Sequence, residues 1–184
     1  MNFWTRIIVA IIVITSCSAE PVTQRTHGSM GVASFHRVER MGTWIETPVV
    51  VVCKDSGVTL GRVKSAMQFW QNLGYEFEGE PVIVSGSSML CYNREPLPFH
   101  IIISPPTAGF NYTKFIGITR TWEIGEPTII FKARIELIQS AAARPRVLEH
   151  ELGHALGWKD NNIPKHIMNG TWKLSGTTTK GLKK

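Results

Sequence analysis

A chain of 184 residues with 43% hydrophobic content is long enough for one domain with a buried core and short for two. Its formal net charge of +6, from 20 Lys and Arg against 14 Asp and Glu, is spread along the sequence instead of gathered in one block. That distribution weighs against a dedicated nucleic-acid binder, and a monomeric domain without a nucleic-acid partner is expected.

The amino-terminal segment reads as a targeting signal. Arg6 and the amino terminus precede an apolar run over residues 7–14, too short to span a bilayer, which takes about 20 apolar residues. Ile14-Thr15-Ser16-Cys17 then resembles the bacterial lipobox. The resemblance implies a signal peptide over residues 1–16, lipidation of Cys17 as the new amino terminus and a membrane anchor, with Ser18 pointing to the outer membrane. An ordinary signal peptide cut near Ala19 is the other reading, and both export the protein. Setting Cys17 aside leaves Cys53 and Cys91, an even pair in an oxidising compartment, open between a disulfide and two buried free thiols. Residues 17–43 are polar, contain glycine and lack a clean period, so a flexible spacer is expected there.

The domain itself is expected over residues 44–174. Residues 49–53 are a β-branched run ending in Cys53, the pattern of a strand buried on both faces, and Asp55-Ser56-Gly57 makes a turn. From Val58 the period changes: Leu60, Val63, Met67, Trp70 and Leu73 mark one face of a helix that Ser56 or Thr59 caps and Gly74 ends. Short apolar runs at 81–84 and 99–104 predict strands, and runs at 115–122 and 128–133 predict a hairpin around Ile124-Gly125-Glu126-Pro127. Residues 136–143 are ambiguous, and a new helix with Pro145 in its first turn is expected after them. From Ser175 onward only Leu182 is apolar beside Lys180, Lys183 and Lys184, so residues 175–184 are expected to be a disordered basic tail.

The chemistry concentrates in His150-Glu151-Leu152-Gly153-His154-Ala155-Leu156-Gly157-Trp158-Lys159-Asp160. On a helix, His150, Glu151 and His154 fall on one side while Leu148, Leu152, Ala155 and Leu156 fall on a neighbouring one. Two imidazoles one turn apart can reach a single Zn²⁺ at about 2.0–2.1 Å. The Glu151 carboxylate, one residue beyond the first ligand, is placed to take a proton from a water that the metal has acidified, and to hand it to a leaving amine. A helix carrying two ligands must stop sharply before a third can return, which Gly157 permits, and Asp160 stands where that third ligand would be. Met168 follows, between Pro164 and Gly170, as for a tight turn below the site.

His150-Glu151-x-x-His154-x-x-Gly157-x-x-Asp160 followed by Met168 resembles the metzincin metallopeptidases, specifically the snapalysin-like variants with aspartate as third ligand. The resemblance covers roughly residues 45–172. It implies an α+β fold with a twisted mixed sheet of about five strands, the hairpin's first strand as antiparallel edge, an active-site helix and a Met-turn at Met168. It further implies zinc held by His150, His154 and Asp160, with Glu151 as general base for hydrolysing a protein or peptide substrate. Most metzincins carry histidine at the third position, and His166 lies nearby, so it stands as the alternative third ligand. The segment after Met168 is short for the usual C-terminal helix, which points to a minimal C-terminal part.

Two blander readings stand beside this one. The first is a binding lipoprotein of the same fold that keeps the zinc as a staple and lacks catalysis; Glu151 beside an open coordination place argues against it. The second makes the histidines ordinary core or surface residues, and that is the reading for His27, His36 and His100, which have no metal-like spacing. An extended substrate could add to the edge strand around residues 116–122. No cysteine sits where an inhibitory thiol would be expected.

Overall fold

Alternate residues of a strand face opposite sides of its sheet, and a run apolar at every position needs cover on both. In the computed structural model, which describes residues 21–28, 37–92 and 96–184, Val50 and Val52 pack under the long helices while Val51 and Cys53 join Ile102 and Cys91 on the far face. The strands are Thr23–Gly28 (β1), Thr43–Trp44 (β2), Val49–Cys53 (β3), Val82–Val84 (β4), His100–Ser104 (β5), Gly117–Ile124 (β6) and Ile129–Leu137 (β7). Among the described residues they form one mixed sheet in the order β1-β6-β7-β5-β3-β4, with β2 beside the first residues of β7. Strands β4, β3, β5 and β7 run parallel, and β6 is antiparallel to both β7 and β1. Among the described residues four helices, Leu60–Gln71 (α1), Met89–Tyr92 (α2), Gln139–Ala142 (α3) and Val147–Ala155 (α4), complete an α+β architecture.

The helix expected from Val58 forms as α1, and Thr59 is its cap, its hydroxyl accepting from the Arg62 amide. Val63, Ala66, Met67 and Trp70 are its buried face, packed against α4. On the far side of the sheet the Cys53–Cys91 disulfide ties β3 to α2, with Cα atoms 5.8 Å apart. Buried Arg134 donates to the Cys91 and Leu90 carbonyls and to the Ser104 hydroxyl, which fastens the same helix over β5 and β7. The hairpin forms as β6 and β7, and β7 runs on to Leu137 because its charged residues find partners in place: Glu136 Oε1 is ion-paired with Arg120 and accepts from Thr107.

Three expectations change. The sheet has seven strands instead of about five, because β1 lies in the stretch read as spacer and β2 straddles its end. Thr23–Gly28 is not a flexible linker: it pairs with β6 over six residues, so β6 is not the sheet edge, and Arg40 and Met41 bond the chain after α4. The remainder of that stretch, at 17–20 and 29–36, and the signal sequence with Cys17 lie outside the described residues. The carboxy-terminal residues are not a disordered tail either. Thr178 exchanges backbone bonds with Lys165 and Ile167, Leu182 is fully buried in the main core, and Lys184 pairs with Glu76. Composition hid this because backbone bonds do the holding and one leucine suffices to anchor the end. Among the described residues no helix is long and apolar enough to cross a membrane.

Candidate metal centre

Helix α4 begins two residues later than its proline suggests, at Val147, after Arg146 turns the chain in the left-handed region. It is held from α1 at its first turn: Arg62 pairs with the Glu149 carboxylate, and the Trp70 indole donates to the Glu149 carbonyl at 2.8 Å. With α4 clamped, the four-residue spacing of His150 and His154 stacks their rings at 4.7 Å between centroids, edge to face.

Both imidazoles are buried and oriented from behind. His150 Nδ1 lies 2.8 Å from the Ile167 carbonyl oxygen and His154 Nδ1 lies 2.7 Å from that of Trp158. A carbonyl only accepts, so each Nδ1 carries the proton and donates it, which leaves both Nε2 atoms free to face the same point. They are 3.1 Å apart. Asp160 Oδ1 completes the group, 3.2 Å from His150 Nε2 and 3.4 Å from His154 Nε2, yet it is buried without a well-directed hydrogen bond. Among the described residues, His150, His154 and Asp160 are the histidine, cysteine or acidic side chains whose donor atoms gather closely enough to hold a metal ion.

These three distances test whether an ion fits. A tetrahedral ion with bonds of about 2.0–2.1 Å has ligand atoms about 3.3 Å apart along each edge. The observed spacings match one face of such a tetrahedron, and an orphaned carboxylate oxygen beside two converging lone pairs is the partner set that a cation satisfies. Without one, a proton does part of the work. Burial opposes the His150 imidazolium, but the Asp160 carboxylate beside it outweighs burial and pushes the ring's pKa up to about 9. Burial likewise works against the Asp160 anion, and the His154 and His150 rings more than compensate, holding it well below the usual carboxylate range.

The chain between second and third donors turns on Gly157, at φ +97°, where a Cβ would stand 2.2 Å from the Gly42 carbonyl oxygen. Beneath α4, fully buried Met168 lies against Gly153: a Cβ there would be 2.3 Å from Met168 Sδ. The Asn161 amide bonds the Met168 carbonyl, so the turn that seats this methionine also fixes the strand of chain bearing Asp160 and the Ile167 carbonyl behind His150. His166 is not part of the donor group. Its Nδ1 accepts from the Met168 amide and from Asn161, and its Nε2 meets the Lys180 carbonyl, so both nitrogens are used in holding the turn and the carboxy-terminal segment.

Glu151 lies on the same helix, fully buried. Its Oε2 accepts a 2.7 Å hydrogen bond from Thr119, while Oε1 has no partner. Burial pushes its carboxyl up, against the pull of the imidazoles and of Thr119. A carboxylate so raised is a better proton acceptor near neutral pH than a solvated one. A notch of ≈ 10 Å³ lined by Ile116, Val147, His150, Glu151, Asn169 and Trp172 has room for about one water.

Two residues of the site escaped the sequence. Thr119 belongs to the polar series Thr119, Thr121, Glu123 on one face of β6, a period-two signal that Arg120, between Ile118 and Trp122 on the other face, interrupts. His27, read as an ordinary histidine, instead lies over the centre: its ring stacks on His154, 4.9 Å between centroids and 15° from parallel. Burial, more than the neighbouring imidazoles, holds its pKa down to about 3, so it is neutral. Comparison with protein-family models and with curated proteins returned no match to the chain.

Proposed function

We propose that this chain is a zinc-dependent metalloendopeptidase of metzincin-like fold, with His150, His154 and Asp160 as metal ligands, Glu151 as general base and Met168 as the Met-turn. The observation that carries the reading is the convergence of three buried donor atoms at 3.1, 3.2 and 3.4 Å, beside a buried carboxylate with one unpartnered oxygen. Zinc suits two imidazoles and one carboxylate at tetrahedral spacing, and when bound it acidifies water and polarises a carbonyl. Glu151 takes the proton of the attacking water and passes it to the departing amine nitrogen as the peptide bond breaks. Thr119 holds that carboxylate in place through Oε2, leaving Oε1 for the proton. The Ile167 and Trp158 carbonyls keep both imidazoles in the ligating tautomer.

Export with a lipid anchor at Cys17 belongs to the same proposal, on the sequence of residues 1–18, as does a monomer acting on protein or peptide substrates at the cell envelope. The decisive experiment compares Glu151→Gln with His154→Ala. The first should retain about one zinc per chain and lose peptide hydrolysis by a factor of about 10² or more; the second should lose both. Equal zinc content in the two variants, or unchanged hydrolysis in Glu151→Gln, rejects the reading.

A further inference from the structure

Strand β1 contributes nothing to the core. Its sequence, TQRTHG, holds no apolar side chain, and Thr23 to Thr26 are exposed. It is nevertheless laid antiparallel along β6 in unbroken register, from Thr23 opposite Glu123 to Gly28 opposite Ile118. One ion pair fastens it, Arg25 Nε to Glu123 Oε2 at 2.6 Å. Such a strand is held as an added peptide is held, by the backbone groups of the strand it covers.

Its register decides where its side chains go. Residues directly opposite in an antiparallel pair share a face of the sheet. His27 is opposite Thr119, the residue whose hydroxyl binds Glu151, so His27 is the β1 side chain brought to the catalytic carboxylate's side of β6 at the metal centre. There its ring lies flat on His154, and its Nε2 is buried with no hydrogen-bond partner. The nitrogen is outside the three-donor group, while its ring lies against one of that group's ligands, His154. A buried imidazole nitrogen without a partner is destabilising, and a metal ion or a water on it supplies the missing partner.

We propose that β1 is a built-in occupant of the site: it takes the β6 edge that an extended polypeptide substrate would need, and His27 covers the metal centre, so the chain as folded is latent until this strand is displaced or cut away. The proposal rests on the peptidase reading, because both the covered edge and the covered ion matter only if a peptide must reach them. It differs from thiol latency in using an imidazole and a strand pairing, neither of which needs a cysteine.

The test uses the full chain loaded with Co²⁺, whose visible absorption reports ligand entry, and acetohydroxamate as a small probe of the open coordination place. Three proteins are compared with the parent: His27→Ala, the strand variant Arg25→Pro/Thr26→Pro, which removes two adjacent backbone donors and the ion pair, and His154→Ala as metal control. Expected is hydroxamate binding at least tenfold tighter in His27→Ala than in the parent. The strand variant should match it in binding and should also cleave a long unstructured polypeptide at least tenfold faster. Equal hydroxamate affinity and equal cleavage in parent, His27→Ala and strand variant, all with cobalt bound, overturn the cover and leave the peptidase reading standing. Cobalt retained by His154→Ala overturns the metal centre, and the cover with it. Because β1 holds no core residue, thermal unfolding of both β1 variants should stay within a few degrees of the parent; a loss of the folded state in either would refute the peripheral role assigned to the strand.

Discussion

Gly153 offers the sharpest check on how the helix sits over the methionine turn. An alanine there would place its Cβ 2.3 Å from Met168 Sδ and 2.7 Å from Trp70 Cζ2. Neither neighbour can retreat freely. Met168 and Trp70 are fully buried, and the Trp70 ring is tethered through its indole N–H to the Glu149 carbonyl. Overpacking of this kind costs about 1–3 kcal/mol, and contacts this short with two confined neighbours belong to the upper part of that range. Against it stands the helix preference for alanine over glycine, worth about 1 kcal/mol. The net is a destabilisation of about 1–2 kcal/mol, or a fall in Tm of about 2–8 °C for a domain of this size. A clash that displaces Met168 also shifts the Ile167 carbonyl behind His150, so zinc affinity should weaken together with stability. Calorimetry of the metal-free protein and chelator competition on the loaded one measure the two effects. A Gly153→Ala protein more stable than the parent would refute the packing argument, since helix propensity would then be the only operative effect.

Gly117→Ala should act chiefly on the base: its Cβ would meet Glu151 Oε1 at 2.5 Å and Leu137 Cδ2 at 2.8 Å, so peptide hydrolysis should fall by about tenfold or more, with some loss of stability, while zinc content stays the same. Metal binding should be proton-linked. With His150 pushed up to about 9 in the metal-free site, loading the ion displaces a proton, and apparent affinity should rise about tenfold per pH unit from neutrality toward 9 and then level off. The sign reverses for stability of the metal-free protein: the His150 contribution is present in full below the unfolded value of 6.5 and is lost as pH rises through about 9, which urea titrations across that window would show. Reducing the Cys53–Cys91 bond, which closes a 38-residue separation, should lower stability by about 3–4 kcal/mol, measured as a shift in denaturant midpoint. Because the bond lies across the sheet from α4, zinc content should be unchanged.

How much was legible in the sequence depends on the range over which each interaction acts. The His150, Glu151 and His154 side chains share a face because helix geometry puts residues four apart on one side, and that needs no knowledge of the rest of the chain. The valine and isoleucine runs of β3 and β5 were equally readable, since a strand buried on both faces must be apolar throughout. Strand β7 was read short because Arg134 and Glu136 look like surface residues until Arg120, Ser104 and the α2 carbonyls are brought to them. Spacing pointed to Asp160 over His166, but what occupies His166 was beyond it: its nitrogens are taken up by Met168, Asn161 and Lys180, all placed by the fold.

What composition and period determined by themselves was the helix that carries the donors, the apolar strands beneath it and the glycine that lets the chain turn back. What only the tertiary structure decided was which donors meet, and above all that an entirely polar segment returns to cover them. β1 and the carboxy-terminal residues are held by main-chain hydrogen bonds, and every residue except proline carries the same donor and acceptor, so such pairing leaves almost no mark on the order of side chains.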